Sequence, residues 1–377
     1  MRIRLAPLLA AAFAFAGCLN SGTPAGGEPD PASFAVPPVP LVDANTTVAT
    51  LHEFVTTFPA RVDNVPTHLG ARDWLASEFA AAGLEVWRQP FTNRIPQENI
   101  AGIHWGVDRD TWVVIAGHYD TTSQECAILA PDISPPVCPL RAPTQGAYDN
   151  GSGTILVLEL ARAFASVPTW YTVAFVEFDG EERGLEGSSA FVQAAVDGDT
   201  PYGALDFRAM VDLDMFGLNW PGVDSPIEVG QNSPELLAFV QDTTRAMGVP
   251  EGAMLYDGPG LDLPNGDRLP FRQLGDTDFR NFGVLGVPYL FLTSDFYNAQ
   301  APLNVPVTLP YGIYPFWHFI DTWDTMVLSA GSEADVVAGF QTALDLSAAV
   351  VHVMAAQPMV PLTGIPIEER VNADPGA

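Results

Sequence analysis

Gly146-Ala147-Tyr148-Asp149-Asn150-Gly151-Ser152-Gly153 is the stretch on which the reading of this chain turns. Upstream stands Gly117-His118-Tyr119-Asp120. Downstream come Phe178-Asp179-Gly180-Glu181-Glu182-Arg183-Gly184-Leu185-Glu186-Gly187-Ser188 and Asp212-Leu213-Asp214-Met215. Metal-ligand residue types thus recur wherever an apolar run ends. Thr111–Ala116, Tyr171–Phe178 and Ala209–Leu213 are short, β-branched or aromatic, and bounded by Gly or acidic residues, which predicts buried strands. Between the first two, Val157, Leu160, Ala161 and Phe164 recur at helical spacing behind the Gly-rich turn. Strand-helix-strand alternation predicts an α/β fold with a mostly parallel central sheet, whose ligands bind beyond the carboxyl ends of the strands. His118, Glu181, Glu182 and Asp214 fall there.

The 377 residues, 47% apolar, can bury a large core, and alternation continuing from about 111 to 293 favours one large α/β domain over two. Net charge is −29, and all 16 basic residues are Arg. No basic patch suits a phosphate backbone, which counts against nucleic-acid binding. With 16% charged residues the chain is no disordered polyanion. The acidity serves solubility and adds a mild preference against acidic partners.

Met1-Arg2-Ile3-Arg4, the apolar run Leu5–Gly17 and then Cys18 predict an export signal over 1–18, too short to span a bilayer. Phe15-Ala16-Gly17-Cys18 resembles a prokaryotic lipobox, which implies a lipid anchor at Cys18 and a membrane as partner. Residues 19–41, rich in Gly, Pro and Ser, read as a flexible linker, 42–357 as the catalytic domain and 358–377 as a tail. In an exported protein, Cys126 and Cys138, close together in a Pro-rich insert, are expected to form a disulfide.

Helical periodicity predicts helices over Val48–Phe58 and Leu69–Ala82, the second stopping at Gly83, followed by a strand over Leu84–Phe91. A further strand is expected over Gly286–Leu292 and an apolar helix over Val336–Met354. His52, His68, His104 and His352 have no acidic or His partner at ligand spacing and read as surface or packing residues.

The sequence lacks G-x-S-x-G, a Lys-bearing phosphate loop and a sulfur set, leaving His and carboxylates as the chemistry-bearing groups. It also lacks H-E-x-x-H, so the ligands must converge from separate strand ends. His118-Tyr119-Asp120, the Gly146–Gly153 stretch, Glu181-Glu182-Arg183-Gly184-Leu185-Glu186-Gly187-Ser188, Leu213-Asp214-Met215 and Trp317-His318 together resemble the ordered motifs of the M28 family of zinc exopeptidases, over about residues 50–355. The resemblance implies a single-domain three-layer α/β/α fold and two Zn²⁺ ions. By it His118 and Asp214 hold one zinc, Glu182 and His318 the other, Asp149 bridges them and Glu181 is the general base. Asp120 is implied to fix the His118 tautomer, a second catalytic contribution. Two zinc ions against three carboxylates leave one net positive charge, which favours activation of water for attack on a peptide bond.

The implied activity is a zinc-dependent aminopeptidase acting on peptides with apolar N-terminal residues. Phe296, Tyr297, Tyr311, Tyr314, Phe316 and Trp317 suit either an apolar side-chain pocket or simple loop packing, and Asp321 or Asp324 could orient His318. Two departures stand out. Trp317 replaces the Tyr that family aminopeptidases often place before the last His, leaving the oxyanion donor unassigned. Thr277-Asp278-Phe279 matches the family's Ser-Asp-His only at Asp278, which leaves Asp278 a supporting role. Trp317 also resembles the related glutaminyl cyclases, single-zinc enzymes, and a catalytically inactive tethered binding module is a third reading. Amino- against carboxypeptidase action stays open.

Overall fold

The computed structural model describes residues 30–366, apart from 63, 123–143, 219–226, 250–253, 258–259, 263–267, 271–276, 295–320 and 359. The lead-in is α1 (Ala44–Thr57), α2 (Pro66–Ala81) and the strands β1 (Glu85–Thr92) and β2 (Pro96–His104). Next come β3 (Asp108–His118), α3 (Ser152–Phe164), β4 (Tyr171–Phe178), α4 (Glu186–Asp197) and β5 (Asp206–Leu213). Then follow β6 (Ile227–Gln231), α5 (Pro234–Met247), β7 (Met254–Asp257) and a small ribbon of β8 (Gly260–Asp262) and β9 (Arg268–Pro270). The last elements are α6 (Phe279–Val284), β10 (Tyr289–Thr293), α7 (Trp323–Ala330) and α8 (Glu333–Ala356).

One sheet of eight strands runs β1-β2-β4-β3-β5-β10-β6-β7. Its centre, β4-β3-β5-β10, is parallel throughout, as the alternation of strand and helix requires. The flanks are mixed: β1 and β2 form an antiparallel hairpin laid against β4, and β6 runs antiparallel to β10. Along β3 the side chains alternate between two cores. Val113 and Ile115 face the core built with α1, α2, α3, α5, α7 and α8, whereas Trp112, Val114 and Ala116 face α4 and α6. Helices therefore cover both faces, giving the three layers, and strands buried on both sides read as continuous apolar runs.

Local chemistry sets the ends. Asp43 accepts from Thr46 N at 2.8 Å, so α1 starts four residues before the apolar periodicity alone predicts. Gly83, at φ +87°, follows α2 in the left-handed conformation that turns the chain into β1. α8 is long and apolar enough to cross a bilayer, yet Phe340, Leu344, Val351 and Met354 are buried in the larger core.

The stretch expected to be a free linker is partly docked. Phe34 packs edge-on to Trp170, and Pro37 O accepts a hydrogen bond from His352 Nε2 at 2.7 Å. Beyond α8, Ile365 exchanges hydrogen bonds with Asn232. The export signal with Cys18, and both Cys126 and Cys138, lie outside the described residues.

Candidate metal centre

His118, the Glu181-Glu182 pair and Asp214 sit at the carboxyl ends of the central parallel strands β3, β4 and β5. His118 is the last residue of β3, in register with Phe178 of β4. The strand reaches two residues past the expected Ala116, and this fixes the imidazole on a rigid element. After β4, Gly180 at φ +73° turns the chain into a short 3-10 turn, Glu181–Arg183, that carries two acidic side chains. Asp214 follows β5 directly, its N–H donating to Leu292 O of β10. Asp149 lies in the turn Ala147–Gly151 before α3, and the Asp149–Asn150 peptide bond is cis.

Asn150 and Gly153 bring that turn against the end of β5. Asn150 Nδ2 donates to Leu213 O at 3.0 Å, while its Oδ1 accepts from Gly153 N and Met215 N. A Cβ at Gly153 would stand 2.0 Å from Leu213 O, so only glycine permits the approach. The sequence of the turn thus delivers Asp149 beside Asp214.

His118, Asp149 and Asp214 each offer a donor atom within 4.8 Å of the others, and all three are buried. His118 Nε2 is 3.3 Å from Asp149 Oδ1, 3.5 Å from Asp214 Oδ1 and 4.0 Å from Glu181 Oε2. Neither His118 Nε2 nor Asp214 Oδ1 makes a hydrogen bond among the described residues. Metal–donor bonds of about 2.0–2.2 Å in a tetrahedral site set neighbouring donors about 3.3 Å apart, so this spacing fits a small divalent cation. The electrostatics agree. Burial alone would depress the His118 pKa, but Asp214, Glu181, Asp120 and Asp149 hold it well above the ordinary histidine value. Burial pushes Glu181 and Glu182 well up; neighbouring carboxylates add to this and His118 opposes it. A cation would reverse that crowding of acids.

Asp120 lies 3.4 Å from His118 Nδ1, and its two oxygens accept from Glu181 N and Glu182 N. One side chain therefore braces the imidazole and the acidic turn together. Asp212, two residues before Asp214, is drawn elsewhere: its Oδ2 accepts from Phe279 N at the start of α6. Asp278 is fully buried in the same region, and burial raises its pKa to about 7.

Three supports had no local signal. Arg61 is fully buried and donates to Tyr119 O, Gln145 O and Gly146 O, clamping the end of β3 to the Asp149 turn. His68, expected to be a packing residue, is buried but gains an acidic partner through the fold: its Nε2 lies 2.9 Å from Asp179 Oδ1. The expectation that Asp321 or Asp324 orients His318 turns on a residue outside the described ones, but Asp321 has a second task. Its carboxylate accepts from Tyr148 N at 3.0 Å and Asp149 N at 2.7 Å, so it shapes the turn. Asp324 is exposed at the start of α7. His318 itself, Trp317 and the aromatic stretch 296–317 lie outside the described residues.

The profile of Peptidase family M28 matches residues 99–318. Aminopeptidase YwaD of Bacillus subtilis is 35% identical over 198 residues, 51% of this chain and 36% of its own length. The chain thus spans well under half of that curated relative. Among solved structures, BSAP, a zinc aminopeptidase from Bacillus subtilis, superposes with a TM-score of 0.60 at 16% identity, covering 85% of this chain and 97% of its own. A glutaminyl cyclase from an Acidobacteriales bacterium does so equally, with a TM-score of 0.60, 21% identity and coverage of 85% and 97%. At these identities the two likenesses establish the fold.

Proposed function

Because this chain belongs to peptidase family M28, which its match over more than half its length establishes, we propose that it is a zinc-dependent aminopeptidase releasing apolar N-terminal residues from peptides. The observation that carries the proposal is the convergence of His118, Asp149 and Asp214 at donor spacing, with Glu181 beside them. In this reading His118 and Asp214 would hold one zinc and Glu182 and His318 the second, with Asp149 shared between them. Zinc bound there would polarise the scissile carbonyl and make an attacking water more acidic.

The chain's own groups manage the protons. Glu181, whose pKa burial raises well above the ordinary carboxylate value, accepts a proton from the attacking water and passes it to the leaving amine. Asp120 accepts from the Glu181 amide and faces His118 Nδ1, keeping base and imidazole aligned through the transfer. Replacing Glu181 by Ala tests this. Turnover of Leu-anilide should disappear while zinc content stays near two per chain; unchanged turnover would remove the mechanism.

A second reading, glutaminyl-peptide cyclisation on a single zinc, draws on Trp317 before His318 and on the likeness to the cyclase fold. Metal analysis paired with Leu-anilide and Gln-anilide separates the two: one zinc and pyroglutamate formation would favour the cyclase. A binding module without activity is disfavoured because the sequence retains every implied donor and the base. We also propose export and lipid anchoring at Cys18. Cys18→Ser should move the protein from the membrane fraction to the soluble one.

A further inference from the structure

A cleft of about 260 Å³ opens beside the metal centre, lined by Val62, Ile95, Thr121, Gln97 and His68 together with Asp120, Asp179, Glu182, Arg94 and Arg183. It shares Asp120 and Glu182 with the centre, so a peptide bound for cleavage has this space within reach. In a chain of net charge −29, this small cleft sets two arginines beside three acids, Asp120, Asp179 and Glu182, so what it can bind depends on how those acids are used.

The acids on its wall are already engaged. Asp179 accepts from Tyr119 Oη and Glu98 N, and from His68, whose Nδ1 takes the Asn64 N–H so that its Nε2 carries the proton. Asp120 accepts the amides of Glu181 and Glu182, and Glu182 belongs to the proposed zinc ligands. Two polar atoms remain. Gln97 Oε1 and Thr121 Oγ1 are buried and have no hydrogen-bond partner among the described residues, although both residues line the cleft. Arg94, by contrast, is exposed at the β1–β2 turn and costs little to redirect onto a ligand.

We propose that this cleft is a subsite for a carboxylate on the leaving side of the scissile bond, recognised by Arg94 and Arg183, with Gln97 Oε1 taking a peptide N–H. The inference rests on the aminopeptidase reading and names its substrate class: short peptides with an anionic group one residue beyond the bond that is cut. An apolar N-terminal side chain finds little to pack against here, whereas every unblocked dipeptide places its terminal carboxylate just past the leaving amine. A guanidinium pair holds a carboxylate through directed, charge-assisted bonds. The overall acidity acts through screened, long-range repulsion, which fades over about 10 Å in 0.1 M salt. Short-range recognition therefore wins, against the preference expected from net charge alone.

The carboxylate has two sources, the C-terminus of a dipeptide or an acidic side chain, and the test separates them. The zinc-loaded enzyme is assayed for kcat/KM on Leu-Gly against Leu-Gly-NH2, and on Leu-Asp-NH2 against Leu-Asn-NH2. At least one anionic member should be preferred by about tenfold, the scale of a charge-assisted contact partly open to water; the first pair reports the terminus, the second the side chain. Arg94→Gln and Arg183→Gln should each cut that ratio by about threefold, and the double variant should bring it to about one. The ratio within each enzyme cancels any general loss of activity. Equal rates within both pairs in the wild type, or a ratio that survives the double substitution, overturn the subsite alone. Failure to cleave any of the four overturns the aminopeptidase reading and the subsite with it.

Discussion

Asp321→Ala probes how the Asp149 turn is held. Its carboxylate accepts from Tyr148 N and Asp149 N, both buried, and truncation leaves both amides without that acceptor. Each buried donor so stranded costs about 1–3 kcal/mol, or about 2–6 kcal/mol for the pair. A second effect opposes the first. Burial is the main cause that raises the Asp321 pKa, to about 7 from an ordinary 3.8. Between those values the folded protein binds more protons than the unfolded one, so the stability this group contributes is full below about pH 4 and is lost as pH rises through about 7. Three pKa units correspond to about 4 kcal/mol, enough to offset most of the hydrogen-bond loss. In chelator-treated protein, urea unfolding should therefore show Asp321→Ala destabilising by about 2–6 kcal/mol at pH 5 and by clearly less at pH 8. Zinc affinity should fall by about 10–100-fold, as when other groups that orient ligands are removed. A penalty that grows with pH, or one under about 0.5 kcal/mol at pH 5, would refute this account of the turn.

For the wild-type protein stripped of metal, the raised pKa values of Asp278 and Asp321, both about 7, imply stability that declines as pH rises from about 4 through 7; the upward shifts of Glu181 and Glu182 act in the same direction, and zinc should reverse the trend by favouring the ionised acids; melting temperatures with and without zinc at pH 5 and pH 7.5 check it. Gly153→Ala, which sets a Cβ 2.0 Å from a backbone carbonyl with no room to yield, should cost about 3 kcal/mol or prevent folding, and an unchanged melting temperature would contradict the close approach. Cys126 and Cys138 should resist alkylation in the protein purified without reductant and each gain one adduct after reduction, as read by intact mass; labelling beforehand argues against the disulfide.

Much of this protein was legible along the chain because its signals are local. Continuous apolar runs ending in Gly or acid locate the central strands, helical spacing finds α1, α2, α3 and α8, and the motifs at His118, Glu181-Glu182 and Asp214 fall at strand ends as α/β topology demands, with Asp149 in the turn before α3. β2 escaped notice because Pro96, Gln97, Glu98 and Asn99 break the apolar pattern; only pairing with β1 and β4 makes it a strand. Which of Asp212 and Asp214 enters the metal centre was decided by the end of β5 and by the start of α6, which draws Asp212 away. Arg61, Asp321 and the His68–Asp179 pair carry no periodicity and no motif, since their partners lie 58 to 173 positions away. Hydrogen bonds of that span are set by how layers stack, not by neighbouring residues. The sequence by itself therefore determined which donors exist and at which strand ends; the tertiary structure alone decided which meet and what holds them. Side-chain period follows from backbone geometry, whereas convergence follows from packing.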